Sequence, residues 1–119
     1  MYRFSRRIAV ATISINSKFF TVMVIFSVSP EHQQEILNHC LEIAPVFADH
    51  PGFISQNVHR SLDGSQIVNY LQWRSRKHHE SCMESQDMHE SAQKLRDMLA
   101  QRKCTMDVLA YEVVFSQEA

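Results

Sequence analysis

Two runs in the middle of the chain, Phe53 to Arg60 and Gln66 to Trp73, are rich in β-branched and aromatic residues and are joined by Ser61-Leu62-Asp63-Gly64-Ser65. Asp-Gly between two such runs is a strong hairpin signal, because tight hairpin turns use residues that tolerate positive φ. The chain has only two glycines, Gly52 and Gly64. Sharp turns are therefore expected just before the first run and between the two.

The flanking segments alternate in period. Ile8 to Ile15 and Phe19 to Ser29 are also β-rich, with Asn16-Ser17 between them, and predict a second hairpin. Phe20, Val22, Val24, Phe26 and Val28 share one face of the second of these strands. Ser29-Pro30-Glu31 then marks a helix start, with a hydroxyl cap, proline in the first turn and an acid at the positive end. Ile36, Leu37, Cys40, Leu41, Ala44 and Phe47 form its buried stripe, and Pro45 is expected to kink it or end its regular part near Ala44. Ser75 caps a second helical region running to about Arg102, broken near Glu84-Ser85, with Met88, Ala92, Leu95 and Leu99 buried. Thr105 to Ser116 is the last expected strand, with Leu109, Tyr111, Val113 and Phe115 on one face.

The order is ββ-α-ββ-α-β. Residues 1–18 form an N-terminal extension carrying an extra strand, and 19–116 an α+β, ferredoxin-like βαββαβ domain with an antiparallel sheet. Helices cover one face of such a sheet. The opposite face needs a second copy, so a homodimer of the dimeric αβ-barrel kind is expected.

A length of 119 residues supports one domain, and a net charge of -1 gives no field to attract nucleic acid or an acidic membrane. Neither Ile8 to Ile15 nor Phe19 to Val28 is long enough to span a bilayer. Cys40, Cys82 and Cys104 are odd in number and far apart, which fits reduced thiols in the cytoplasm and leaves out a zinc knuckle. Seven histidines are present, but His78-His79 face about 100° apart on a helix, and no metal site is expected. Two lone glycines make no phosphate cradle, so no flavin or nicotinamide cofactor is expected.

Pro51-Gly52-Phe53-Ile54-Ser55, the Asp63-Gly64 turn and Asn69-Tyr70-Leu71-Gln72-Trp73-Arg74-Ser75 follow one another in a characteristic order. Together with Pro30-Glu31 and Tyr111-Glu112-Val113-Val114, this run resembles the antibiotic biosynthesis monooxygenase family over roughly Phe19 to Phe115. The resemblance implies a small dimeric barrel that oxidises an electron-rich aromatic, a quinol or an anthrone, with O₂ and without a cofactor. It also implies that Asn69 and Trp73 line the substrate cavity. Strand geometry supports the pairing, since Ile67, Asn69, Leu71 and Trp73 share one face. Asn69 is the candidate donor to the substrate anion, and Trp73 stacks on the ring or donates through its indole.

His79 stands where relatives commonly carry Phe or Tyr, which places an imidazole either beside the cavity as a candidate base or in solvent next to His78. Two alternatives stand beside the oxygenase reading. One is a non-catalytic ligand-binding dimer. The other is a haem-degrading enzyme, disfavoured because the iron-binding helix position of such relatives falls on Ala92, with His89 one turn earlier.

Overall fold

In the computed structural model, residues 11–119 are described. The elements run β1 (Phe20–Ser27), α1 (Pro30–Ala48), β2 (Phe53–Arg60), β3 (Gln66–Trp73), α2 (Arg76–Met83), α3 (Gln86–Gln101) and β4 (Thr105–Tyr111). The four strands form one sheet in the order β2-β3-β1-β4, every neighbouring pair antiparallel. This is the α+β ferredoxin-like arrangement that the alternation of periods predicts.

Side-chain parity decides which face is buried. Val22, Phe26, Ile67, Leu71 and Trp73 point to one face and form the core with Ile36, Cys40, Ile43 and Phe47 of α1, Cys82 of α2 and Met88, Leu95 and Leu99 of α3. The central hairpin is closed by local hydrogen bonds: Ser61 donates to the Gln66 carbonyl (3.0 Å), and the Ser65 amide and hydroxyl both donate to the Asp63 carboxylate (2.9 and 2.7 Å). Those donors hold the Asp63 carboxyl down at about 2. Ser75 and Ser85 each cap a helix by accepting from the amide three residues on, which fixes the break between α2 and α3 at Glu84-Ser85.

The structure departs from expectation at four places. Of the expected extra strand, Ile8 to Val10 lie outside the described residues, and Ala11 to Ile15 form no strand. The reason is topological: β1 is already paired on both edges, by β3 and β4, so no edge is open for a preceding hairpin partner. The main chain at Thr12 is instead gripped by the buried Gln72 side chain, which accepts from the Thr12 amide (3.1 Å) and donates to its carbonyl (2.6 Å). Helix α1 passes Pro45 and ends at Ala48, because Pro45 lies on the exposed side and one further turn buries Phe47 against Trp73. Leu41, expected in the stripe, is exposed, and Ser29 occupies the cap position of α1 without making a side-chain capping bond. The last strand stops at Tyr111, opposite Thr21, because β1 begins at Phe20 and offers no partner beyond it. Val114 and Phe115 are accordingly exposed.

Candidate functional site

A cavity of about 120 Å³ lies between the sheet and the helices. Val24 and Phe26 of β1, Leu71 of β3, and Ile43 and Phe47 of α1 form its apolar walls, and Val108 of β4, itself half-exposed, borders one side. Met83, Met88 and Met106 complete the lining. A cavity of roughly 150 Å³ holds a benzene ring, so the space is of single-ring size. Flexible thioether side chains on three sides let it widen by rotamer changes.

Asn69 is brought into this cavity by its register. It pairs with Val24 across β1 and with Val58 across β2, in the middle of the sheet, and is only 4% exposed. Its carbonyl Oδ1 accepts a hydrogen bond from Gln56 Nε2 at 3.0 Å. The amide nitrogen Nδ2 makes no hydrogen bond among the described residues and is the group left to donate.

His79 enters from the first turns of α2 and lines the same cavity. Its ring lies 5.7 Å from that of Phe20 and 5.9 Å from that of Trp73, centroid to centroid. Burial lowers the pKa of His79; Glu80 opposes the shift and Arg76 adds to it. A neutral imidazole at neutral pH is the result, and a neutral imidazole can accept a proton.

Trp73 is fully buried but does not line the cavity. It sits one layer behind, its ring edge-on to Phe47 (6.2 Å), Phe53 (5.6 Å) and His50 (6.1 Å) and tilted against His79. Its indole nitrogen is buried without a hydrogen-bond partner among the described residues. Thus Asn69 and His79 share the chamber, and Trp73 backs it.

Two lining or supporting residues, Arg96 and Gln56, escape a reading of the sequence. Arg96, one helical turn after Ala92, is an exposed residue at the edge of the cavity lining, its guanidinium bonded to Gln93 Oε1 at 2.9 Å. Gln56 Nε2 donates to the Asn69 carbonyl oxygen. Cys40 contributes a thiol whose pKa burial pushes up to about 11, and Cys82 behind it is likewise raised to about 11, so both stay protonated and unreactive. His89 is exposed, while Ala92 lines the cavity. Among the described residues no three His, Cys, Asp or Glu side chains come together as a metal site, and no helix is long and apolar enough to cross a membrane.

A four-stranded antiparallel sheet with helices on one face and an apolar chamber between them defines an α+β protein of ferredoxin-like class. Solved structures share it. A cofactor-independent oxygenase from Streptomyces nogalater, SnoaB, superposes with a TM-score of 0.64 at 17% identity over 87% of this chain and 97% of its own. A putative antibiotic biosynthesis monooxygenase from Nitrosomonas europaea gives 0.66 at 16% identity over 85% and 95%. In sequence, tetracenomycin-F1 monooxygenase of Streptomyces glaucescens is 46% identical over 66 residues, 55% of this chain and 59% of that protein. The match thus spans about three fifths of that relative's length. Residues 19–94 match the family model for antibiotic biosynthesis monooxygenase, and the chain belongs to that family.

Proposed function

We propose that the protein is a cofactor-independent monooxygenase that oxidises an electron-rich aromatic, a quinol or an anthrone-like phenol, with O₂. The observation that carries this reading is the meeting of an amide donor and a neutral imidazole in one chamber whose other lining residues, Arg96 apart, are apolar. Neutral His79 takes the proton of a phenol or of an activated methylene. Asn69 Nδ2 donates to the oxygen that becomes negative, in a chamber lined mostly by apolar side chains. The electron-rich anion then passes one electron to O₂, and the two radicals combine to a peroxide. Loss of water leaves the carbonyl: for a ring methylene, CH₂ and O₂ become C=O and H₂O, which balances without any other reductant. Trp73 and Phe20 hold the His79 ring in place from either side.

The chamber as found accepts a single quinol ring, and a three-ring anthrone requires the methionine side chains to move. Family membership and the name of the sequence relative support a monooxygenase. The same reading takes a second copy of the chain as partner, seated on the helix-free face of the sheet. Oxygen uptake by purified, chelator-treated protein with a panel of hydroquinones and anthrones tests the proposal. Turnover is expected, and Asn69→Ala and His79→Phe are each expected to lower kcat by about tenfold or more. No uptake across the panel, or undiminished uptake in both variants, overturns it.

A further inference from the structure

We infer that Val108 is a specificity-determining residue: it borders the open end of a channel that runs across the strands from Asn69, and it favours phenols prolonged by a second ring over single-ring ones. The inference rests on the reading that the reacting ring lies beside Asn69 and His79. Strand register lays out the channel. Val24 pairs with Asn69 on one side and with Val108 on the other, so the three form one row across β3, β1 and β4. Residues directly opposed in a sheet share a face, and all three line the chamber. Neighbouring strands lie about 4.8 Å apart, so the row spans about 10 Å from the main chain of Asn69 to that of Val108.

Burial gives the row a direction. Asn69 is buried at its inner end, whereas Val108 is half-exposed at its outer end, on the edge strand of the sheet. Every residue of β4 is exposed, so the helices roof only the inner part. Phe26 and Leu71, in the rows on either side, flank that inner part. Met106 lies beside Val108 at the mouth and is the flexible side chain there. The enclosed space takes one ring. A phenol seated at Asn69 therefore ends over Val24, short of Val108. A second ring, fused or attached so as to prolong the molecule away from the reacting hydroxyl, continues along the row and lies on Val108. Its apolar surface leaves water there, a gain that a single ring does not make.

A bulky side chain at residue 108 blocks the outer end and leaves the inner one alone. Tryptophan suits an exposed strand position, so Val108→Trp is expected to keep the parent's far-UV circular dichroism. With hydroquinone, its kcat/KM is expected to stay within about twofold of the parent, and with phenylhydroquinone to fall about tenfold or more, mostly through KM. Val108→Ala, which widens the mouth, is expected to accept both substrates as the parent does. Equal losses for the two substrates in Val108→Trp, no loss for the longer one, or a loss of the longer one in Val108→Ala as well, overturn the assignment. Calorimetric titration with phenol and 4-phenylphenol in oxygen-free buffer needs no turnover. The parent is expected to bind 4-phenylphenol the more tightly, and Val108→Trp to lose that preference while still binding phenol. A parent that binds the two equally, or binds neither, refutes the channel. Length-dependent binding without any oxygen uptake would defeat the monooxygenase reading and leave the Val108 assignment standing.

Discussion

The indole nitrogen of Trp73 is buried with no acceptor in reach among the described residues. An unpaired buried donor costs about 1–3 kcal/mol. Trp73→Phe removes that donor together with some packed volume, and the two effects offset. Urea unfolding is expected to place Trp73→Phe within about 1 kcal/mol of the parent, whereas Trp73→Ala, which empties a packed site, loses about 3–5 kcal/mol. A Phe variant as damaged as the Ala variant would show that the indole nitrogen has a partner in solution. At the neighbouring His79 the consequence is a pH profile. Because burial lowers its pKa, the imidazole stays neutral until the pH falls below the ordinary histidine range, about 6.5. Values of kcat/KM are therefore expected to be flat near neutrality and to fall on an acid limb below that range, and the limb should vanish in His79→Phe. Asn69 is legible in the sequence because it is the lone amide among Ile67, Leu71 and Trp73 on one face of its strand and must point where they point. Gln56 is not. Counted from Phe53 by simple alternation it would face away from Asn69, but a bulge between Phe53 and Ser55 shifts the register, turning Ser55 toward Gln72 and Gln56 inward. Trp73 shares the face of Asn69 as expected, yet the turn into α2 carries His79 between it and the chamber, and that placement depends on tertiary packing rather than strand period.

Turns and element ends carry the next level of specification. Both glycines sit at positive φ, +85° for Gly52 and +81° for Gly64. They are not equivalent. A Cβ on Gly64 would come within 2.9 Å of Pro30 Cβ, whereas one on Gly52 would lie 2.1 Å from His78 Cγ. His78 is itself tied down by Ser75 Oγ at 2.7 Å, so the clash would be passed to the first turn of α2, beside His79. Gly64→Ala is expected to lose about 1–3 kcal/mol from backbone strain. Gly52→Ala adds overpacking of a similar size and should also depress kcat, because it displaces the helix that carries the base. Thermal melts and oxygen uptake on the two variants check the order; equal losses would mean that α2 yields freely. The expected positions of the helices and of the central hairpin hold because periodicity and capping are local. The errors fall where a local signal meets a full or absent partner. Ala11 to Ile15 has strand composition but its expected partner β1 is already paired on both edges, and Glu112 to Ser116 runs past the start of β1. Pro45 removes one helical hydrogen bond and costs about 3 kcal/mol in a free helix. Burying Phe47 beyond it keeps the helix going.

At the scale of the molecule, helices cover one face of the sheet only. The other face presents Met23, Ile25, Val68, Tyr70, Leu109 and Tyr111 in adjoining strands, with Leu109 50% exposed. The segment held at Thr12 by Gln72 covers one end of that face and leaves the rest open. An apolar sheet face of this kind is a liability in a lone chain and a natural seat for a second one. Sedimentation equilibrium is expected to return twice the 13.9 kDa chain mass. Leu109→Lys places a charge at the centre of the exposed strand without entering the core, so it should return the single-chain mass with unchanged far-UV circular dichroism. The proposed dimer would also be tied to the chamber. In β4 the side chains alternate, Met106 and Val108 facing the cavity and Leu109 facing outward. A partner pressed on Leu109 holds that edge strand against the chamber. The dissociated variant is therefore expected to show a raised KM with a smaller change in kcat, because the wall that confines the substrate is loosened while Asn69 and His79 stay in place. A parent that sediments as a monomer would refute the docking surface, and a dissociated variant with the parent's KM would cut the link between that surface and the site.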